Sequence, residues 1–435
     1  MKRRAFLGYG AALGYGTGLG ALAGAGALAG ASVGVAHAAT ASPQVLVVGG
    51  GYGGAAAARY VRLWGGGRIG VTLVEPNERF VSCPLSNLVL GGSRRIEELT
   101  MDRRGLERQG VRLLRDRVAS IDPDKRSVRL ASGTTLGYDR LVLSPGIDFM
   151  WDRLPGMQSA KARERILHAW KAGPQTVALR ARLEAMADGG IFVLTVPPAP
   201  YRCPPGPYER ACQVAHYFSR AKPKSRVVLL DANPDVVSKG ALFKRIWEER
   251  YPGTIDYRPS FLTADVDAAA GVVISELGEQ VPGDVLNVIP PQRAGDLARE
   301  TGLATANGRW CPVDFRSFES TEASSIHVIG DAIQTAPLMP KSAHMANQHA
   351  KVCAAAVVDL LSGAAPQRPA MITNTCYSFV SDTDVIHVAS VHAYDEARRT
   401  YIAVPGSGGL SAEANALEGR YAASWARNLW ADTLG

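Results

Sequence analysis

The 435-residue chain carries 48 Lys and Arg against 40 Asp and Glu, with 46% hydrophobic and 20% charged residues. Those proportions belong to a globular protein of two to four domains with ample core, and they exclude a disordered or coiled-coil chain. Six cysteines are too few for a small disulfide scaffold, and a net charge of +8, of which Lys2, Arg3 and Arg4 supply three units, is too modest to point to nucleic acid.

No acid occurs in residues 1–38, and after Arg4 no charged residue occurs before Arg59. Residues 5–36 hold ten glycines, and Ala36-His37-Ala38 offers small residues at both positions of an A-x-A cleavage site. Basic start, apolar middle and small-residue end describe an export signal over residues 1–38. Its opening, Arg3-Arg4-Ala5-Phe6-Leu7, resembles the twin-arginine type. The alternative is a retained anchor, because the uncharged stretch is long enough to span a bilayer. The glycines count against it by lowering helix propensity and lipid partitioning. The expectation is a periplasmic protein with no membrane span in its mature chain, in a compartment where disulfides persist.

Next in chain order, the apolar run Val45–Val48 meets Gly49-x-Gly51-x-x-Gly54, and Ala55–Ala58 opens a helix. Gly49 permits the tight turn, Gly51 lets the backbone approach a pyrophosphate, and Gly54 lets helix pack closely on strand. The helix N-terminus then faces the phosphates. Ile69–Val74 makes a second strand, and Glu75 at its end is placed to bind the hydroxyls of an adenosine ribose. Two later strands, Tyr138–Leu143 leading into Ser144-Pro145-Gly146 and Ser325–Ile329 leading into Gly330-Asp331, resemble those of the two-dinucleotide-binding flavoproteins. That resemblance implies FAD at the first site, with Asp331 on the ribitol and the backbone of Val118 on the adenine.

A second βαβ unit is expected near residue 190, with strands at Gly190–Val196 and Arg226–Leu230 and Asp231 after the latter. The loop between them, Pro197 to Glu209, contains six prolines and one glycine. Proline has no N–H to donate and fixes φ near −65°, so this loop cannot cradle a phosphate. The fold is expected to persist without NAD(P)H binding, and the electron donor must be something else.

The remaining signals are cysteines. Phe80-Val81-Ser82-Cys83-Pro84-Leu85-Ser86-Asn87, Cys203-Pro204-Pro205-Gly206-Pro207-Tyr208-Glu209 and Thr375-Cys376-Tyr377-Ser378 closely resemble the flavoprotein subunit of flavocytochrome c sulfide dehydrogenase, a relative of the sulfide:quinone oxidoreductases. The likeness runs from about residue 43 to the end. It implies a thioether from Cys83 to the flavin 8α-methyl and a redox disulfide between Cys203 and Cys376, with Glu209 nearby. It also implies oxidation of sulfide to sulfur or polysulfide, and electrons passing to a c-type, dihaem cytochrome subunit. The chemistry is coherent, because hydrosulfide is a soft nucleophile and a disulfide is the electrophile that thiolates attack. Glu209 would handle protons or raise thiol pKa values. The alternative for Cys203 is a structural bridge to Cys212 or no role. Cys212, Cys311 and Cys353 read as small buried apolar residues.

The resemblance further implies that the helix opened by Pro340-Lys341-Ser342 points at the flavin pyrimidine edge, where Lys341 would add positive charge; a surface lysine is the alternative. Trp425 either covers the flavin or packs in the core. His344 and His349 are five apart without acidic company, so no metal site is expected. The expected fold is α/β, with two Rossmann-like, glutathione-reductase-like domains and a C-terminal α+β domain. Residues 43–154 and 285–362 form a discontinuous FAD domain, 155–284 the degenerate NAD-like domain, and 365–435 the C-terminal domain. No Cys-x-x-Cys-His haem site occurs, which places the haem on a partner. Two rival readings are a sulfide:quinone oxidoreductase and an accessory flavoprotein of a thiosulfate-oxidising system.

Overall fold

Strands buried on both faces must be apolar at successive positions, and the first strand, β1 (Gln44–Val48), is buried at four of its five residues. The computed structural model describes residues 42–435, so the export signal expected over 1–38 lies outside the described residues. After β1 come helix α1 (Tyr52–Trp64), β2 (Gly70–Val74), β3 (Arg112–Leu114) and β4 (Arg140–Leu143). β1 pairs in parallel with β2 on one side and β4 on the other, and β3 adds beyond β2. Ala55 to Ala58 of α1 are all fully buried, which only small side chains permit at so close an approach.

The chain then builds a second parallel sheet from β5 (Ile191–Val196), α2 (Gly206–Ala221), β6 (Arg226–Asp231), α3 (Gly240–Arg250), β7 (Ile255–Arg258) and β8 (Val285–Val288). Its strand order is β7-β6-β5-β8. Residues 285–288 therefore close the second sheet instead of opening the return to the first, which corrects the boundary expected at 285. An apolar run beside a domain crossing reads the same in either sheet, and only its partner strand decides. The return is marked by Gln292–Ala294, antiparallel to Ile147–Phe149.

In the returning segment, β9 (Ile326–Val328) pairs in parallel with β4 and completes the central sheet. Helix α4 (Ala343–Leu361) then packs against α1. The C-terminal part is a long hairpin, β10 (Ile372–Phe379) and β11 (Val385–Asp395), followed by β12 (Thr400–Ala403) and helix α5 (Ala416–Leu434). The fold is thus mixed α/β, with two dinucleotide-type units and a C-terminal α+β part. No helix of the described residues is long and apolar enough to cross a membrane.

Candidate active site

The turn after β1 shows why each glycine is there. Gly49 has φ +95°, and a Cβ on it would stand 2.3 Å from the Ser144 carbonyl oxygen. A Cβ on Gly54 would stand 1.8 Å from the Gly49 carbonyl oxygen, whereas one on Gly51 would meet nothing within 4 Å. Gly49 and Gly54 serve packing, and Gly51 leaves open space at the N-terminus of α1. Glu75 accepts hydrogen bonds from Gly50 N (2.7 Å) and Asn77 N (2.8 Å), and it lines a cavity of about 480 Å³ with Asn77, Asp102 and Arg103. Val118 does not line that cavity; it starts a strand of a separate small sheet, just before a bulge.

On the other side of the turn, Ser144 N bonds Val48 O, while Gly146 (φ +67°) has open space at its Cβ position. Gly330 (φ +76°) leads into Asp331. Burial pushes the Asp331 carboxyl up, and its Oδ1 has no partner. A buried carboxyl oxygen left without a partner is what a ligand hydroxyl would complete. The open N-terminus, the carboxylate-lined cavity and this orphaned oxygen fit a flavin dinucleotide.

Lys341 differs from both expectations. The helix begins at Ala343, with Ser342 as its N-cap accepting from Met345 N, so Lys341 stands outside it. Its ammonium turns inward, donating to the carbonyls of Asp331 (2.9 Å) and Ile333 (2.6 Å) beneath the Trp310 ring. Burial pushes it down to about 7. It is neither a surface lysine nor a charge on the helix start. It ties the Asp331 turn to the proline loop, since its carbonyl accepts from Cys203 N at 2.8 Å.

Cys203 comes from the loop before α2 and Cys376 from the middle of β10, and the two elements are tied where Glu209 of α2 accepts from Phe379 N of β10 (3.0 Å) and Lys239 Nζ donates to the Cys376 carbonyl (3.0 Å). Both stand as free thiols, as do Cys83 and the other three. Cys203 holds a left-handed backbone (φ +58°), uncommon for a residue with a side chain. Burial pushes both thiols up; beside Cys203 the other thiol and Glu209 add to the rise, whereas Lys239 draws Cys376 back. Glu209 lies on the first turn of α2, accepting from Asn87 Nδ2 (2.9 Å) and Phe379 N (3.0 Å). Burial raises its pKa against those two bonds. Arg210 fixes Asn87 in turn through a bond to its Oδ1.

Cys83 is half-buried beside Ser82, whose hydroxyl meets Tyr52 OH (2.7 Å) and Trp430 Nε1 (3.0 Å), so α1, the Cys83 loop and α5 converge there. Trp425, half-buried on α5, stands edge-on to His344 and to Tyr377, the neighbour of Cys376. It therefore closes over the start of α4 and the strand bearing Cys376. Cys212 accepts from Trp247 Nε1 and is fully buried, like Cys311 and Cys353. Among the described residues no cluster of three or more metal-ligating side chains occurs.

The second dinucleotide unit is filled by its own side chains. Asp231, in the position of a ribose-binding acid, accepts from Tyr208 OH (2.7 Å), Tyr257 OH (3.2 Å), Asn233 N (2.9 Å) and Asn233 Nδ2 (2.8 Å) and is fully buried. Tyr208, which bonds it, is itself fully buried. These residues do not fit a nicotinamide dinucleotide.

Comparison with known proteins finds family matches over three stretches of the chain. Residues 43–177 match the pyridine nucleotide-disulphide oxidoreductase family, 176–290 the central part of the sulfide dehydrogenase (flavocytochrome c) flavoprotein chain, and 368–434 the flavocytochrome c sulphide dehydrogenase flavin-binding family. The sulfide dehydrogenase flavoprotein chain of Chlorobaculum thiosulfatiphilum is 56% identical over 46 residues, which is 94% of that sequence and 11% of this one. The chain belongs to the flavocytochrome c sulfide dehydrogenase flavoprotein family.

Members of the sulfide:quinone oxidoreductase group are also similar. The mitochondrial enzyme of Mus musculus is 26% identical over 300 residues, 66% of this chain and 65% of the mouse protein. The chain thus aligns with about two thirds of such curated relatives. The sulfide:quinone oxidoreductase of Aquifex aeolicus superposes with a TM-score of 0.75 at 17% identity, covering 90% of this chain and 91% of that one, which shows the shared fold. The cysteine motifs contain Cys83, Cys203, Cys376, Glu209 and Asn87, whereas Lys239 and Arg210 carry no sequence signal of their own. Tertiary packing alone brings Lys239 to the Cys376 strand and Arg210 to Asn87.

Proposed function

We propose that this chain is an exported, FAD-dependent sulfide dehydrogenase that delivers electrons to a c-type cytochrome subunit. The observation that carries the reading is that the element bearing Cys203 and Glu209 is joined to the strand bearing Cys376, through Phe379 N to Glu209 (3.0 Å) and Lys239 Nζ to the Cys376 carbonyl (3.0 Å). In the oxidised protein these two cysteines form a disulfide. Hydrosulfide attacking one sulfur leaves a cysteine persulfide and frees the other cysteine as a thiolate. Bound FAD supplies a two-electron acceptor that passes electrons on singly. Glu209, whose pKa burial raises, holds or gives up a proton beside the pair. Gly51, Glu75 and Asp331 hold the dinucleotide, and Cys83 tethers the flavin, which secures the cofactor of an exported protein. The filled second unit supports a donor other than NAD(P)H.

The deciding experiment mixes the purified holoprotein with sulfide and either cytochrome c or a soluble quinone. Sulfide-dependent cytochrome reduction is expected. Quinone reduction instead, which the likeness to sulfide:quinone oxidoreductases favours, replaces the acceptor, and no reduction of either sinks the reading in favour of an accessory role. Flavin released on acid precipitation would overturn the tether at Cys83.

A further inference from the structure

A buried ammonium costs free energy unless an anion or a full set of acceptors compensates it. Lys239 is 6% exposed, and its Nζ donates to Ser378 Oγ (2.7 Å), to the Cys376 carbonyl (3.0 Å) and, more weakly, to the Ile386 carbonyl (3.4 Å). None of these acceptors carries a charge. The backbone is held in the left-handed region at φ +62° to put the side chain there, an unfavourable conformation for a lysine.

The groups that can serve as its counter-ion are, in falling order of influence, Cys376 on β10, Glu209 on α2, Cys203 on the proline loop and Glu418 on α5. Glu209 is held toward its neutral acid by burial, and Glu418 is engaged by His387 (2.8 Å) and Ser411 (2.6 Å). The other cations nearby are occupied: Arg202 donates to the Trp170 carbonyl, and Arg210 to the carbonyls of His168 and Ala169 and to Asn287. Asn374 Nδ2 donates to Cys376 Sγ at 3.3 Å, and Lys239 Nζ is anchored on the same strand by the Cys376 carbonyl and Ser378 Oγ, whereas the Cys203 sulfur has no hydrogen-bond donor among the described residues. A negative charge is therefore better held on Cys376 than on Cys203.

We propose that Lys239 is the counter-charge of the Cys376 thiolate, so that hydrosulfide attacks the Cys203 sulfur and Cys376 is the leaving group. This rests on the sulfide-oxidising reading above. The step balances without an external oxidant. A bond forms between the incoming sulfur and Cys203 Sγ, the Cys203–Cys376 bond breaks, and its electron pair goes to Cys376 Sγ. Exchange is faster when the departing thiolate is the better stabilised one, and Lys239, acting through Cys376, is a positioning residue.

The test needs no sulfide for its main arm. The holoprotein is reduced anaerobically with a phosphine and treated with iodoacetamide across a pH series, and alkylation of Cys376 is followed by peptide mass spectrometry, since only the thiolate reacts. Lys239→Met is expected to raise the midpoint of the Cys376 profile by about one pH unit, an about tenfold slower alkylation at neutral pH, while Lys239→Arg keeps it near the wild type. Ser378→Ala, which removes one anchor of the ammonium and keeps the lysine, shifts it the same way by less. It serves as the test if the Met variant does not fold. Unshifted profiles in the folded variants overturn the proposal. In the second arm, the disulfide form is rapidly quenched after a sub-stoichiometric pulse of sulfide. An extra sulfur on the Cys203 peptide with alkylated Cys376 is expected, and the reverse overturns the direction of attack. If sulfide fails to bleach the wild-type flavin while the Lys239 profiles still shift, it is the functional reading that falls, and the charge pairing stands.

Discussion

Glu209 sits between two opposing demands. The N–H groups of Asn87 and Phe379 favour its carboxylate, burial favours the acid, and burial prevails. A carboxyl whose folded pKa lies above its ordinary value of 4.5 binds more protons folded than unfolded in the interval between the two. Its contribution to stability is fully present below pH 4.5 and is lost as pH rises through the raised folded value. The stability of the wild type relative to Glu209→Gln should therefore decline as pH rises from that point, which thermal melts of both proteins across a pH series will show. A flat difference would mean that Glu209 is not raised. The same variant should slow sulfide-dependent flavin reduction by roughly 10²-fold, the size of a lost general acid or base. Cys203→Ser and Cys376→Ser should each abolish that reduction with the flavin spectrum retained, because neither sulfur belongs to the dinucleotide cradle.

At the scale of elements, the β1–turn–α1 unit tolerates little change. In Gly54→Ala the new methyl group would lie 1.8 Å from the Gly49 carbonyl oxygen, which the backbone must move to avoid. A loss of about 3 kcal/mol is expected from such overpacking, together with loss of bound flavin, measurable by denaturant melts and by absorbance after gel filtration. Gly51→Ala is the contrasting variant: its methyl meets no protein atom, so stability should hold while flavin binding falls. These elements were legible from residues alone because their cues are local: an apolar run, glycines at fixed spacing, and an acid ending the next strand. The crossing at 285–288 was not, because Val285–Val288 is apolar in whichever sheet it joins. The start of α4 was misplaced by its proline. Pro340 suits a first helical turn, but the Ser342 hydroxyl caps Met345 N and moves the start to Ala343.

Taken as a whole, the molecule builds the proposed redox centre from three parts of the chain. The first unit presents the Gly51 and Asp331 cradle, the second supplies Cys203, Glu209 and Lys239, and the C-terminal hairpin brings Cys376. Cysteine motifs revealed two of these contributions in advance. Lys239 stayed hidden, since a lysine between a loop and a helix has no pattern until packing buries it. In the proposed function the second dinucleotide-type unit is retained because its loop and first helix carry Cys203 and Glu209. Asp231 already accepts from four donors, two of them the hydroxyls of Tyr208 and Tyr257, which leaves it no free acceptor for a ribose. Anaerobic addition of NADH or NADPH in large excess should accordingly leave the flavin absorbance unchanged in a sample that sulfide then bleaches. Tyr208→Ala should not restore a response, because the loop before α2 still lacks the glycine N–H groups that a pyrophosphate needs. Bleaching by either nucleotide in the wild type would show that the second unit still binds one, and the assignment of its residues to sulfur chemistry alone would have to be abandoned.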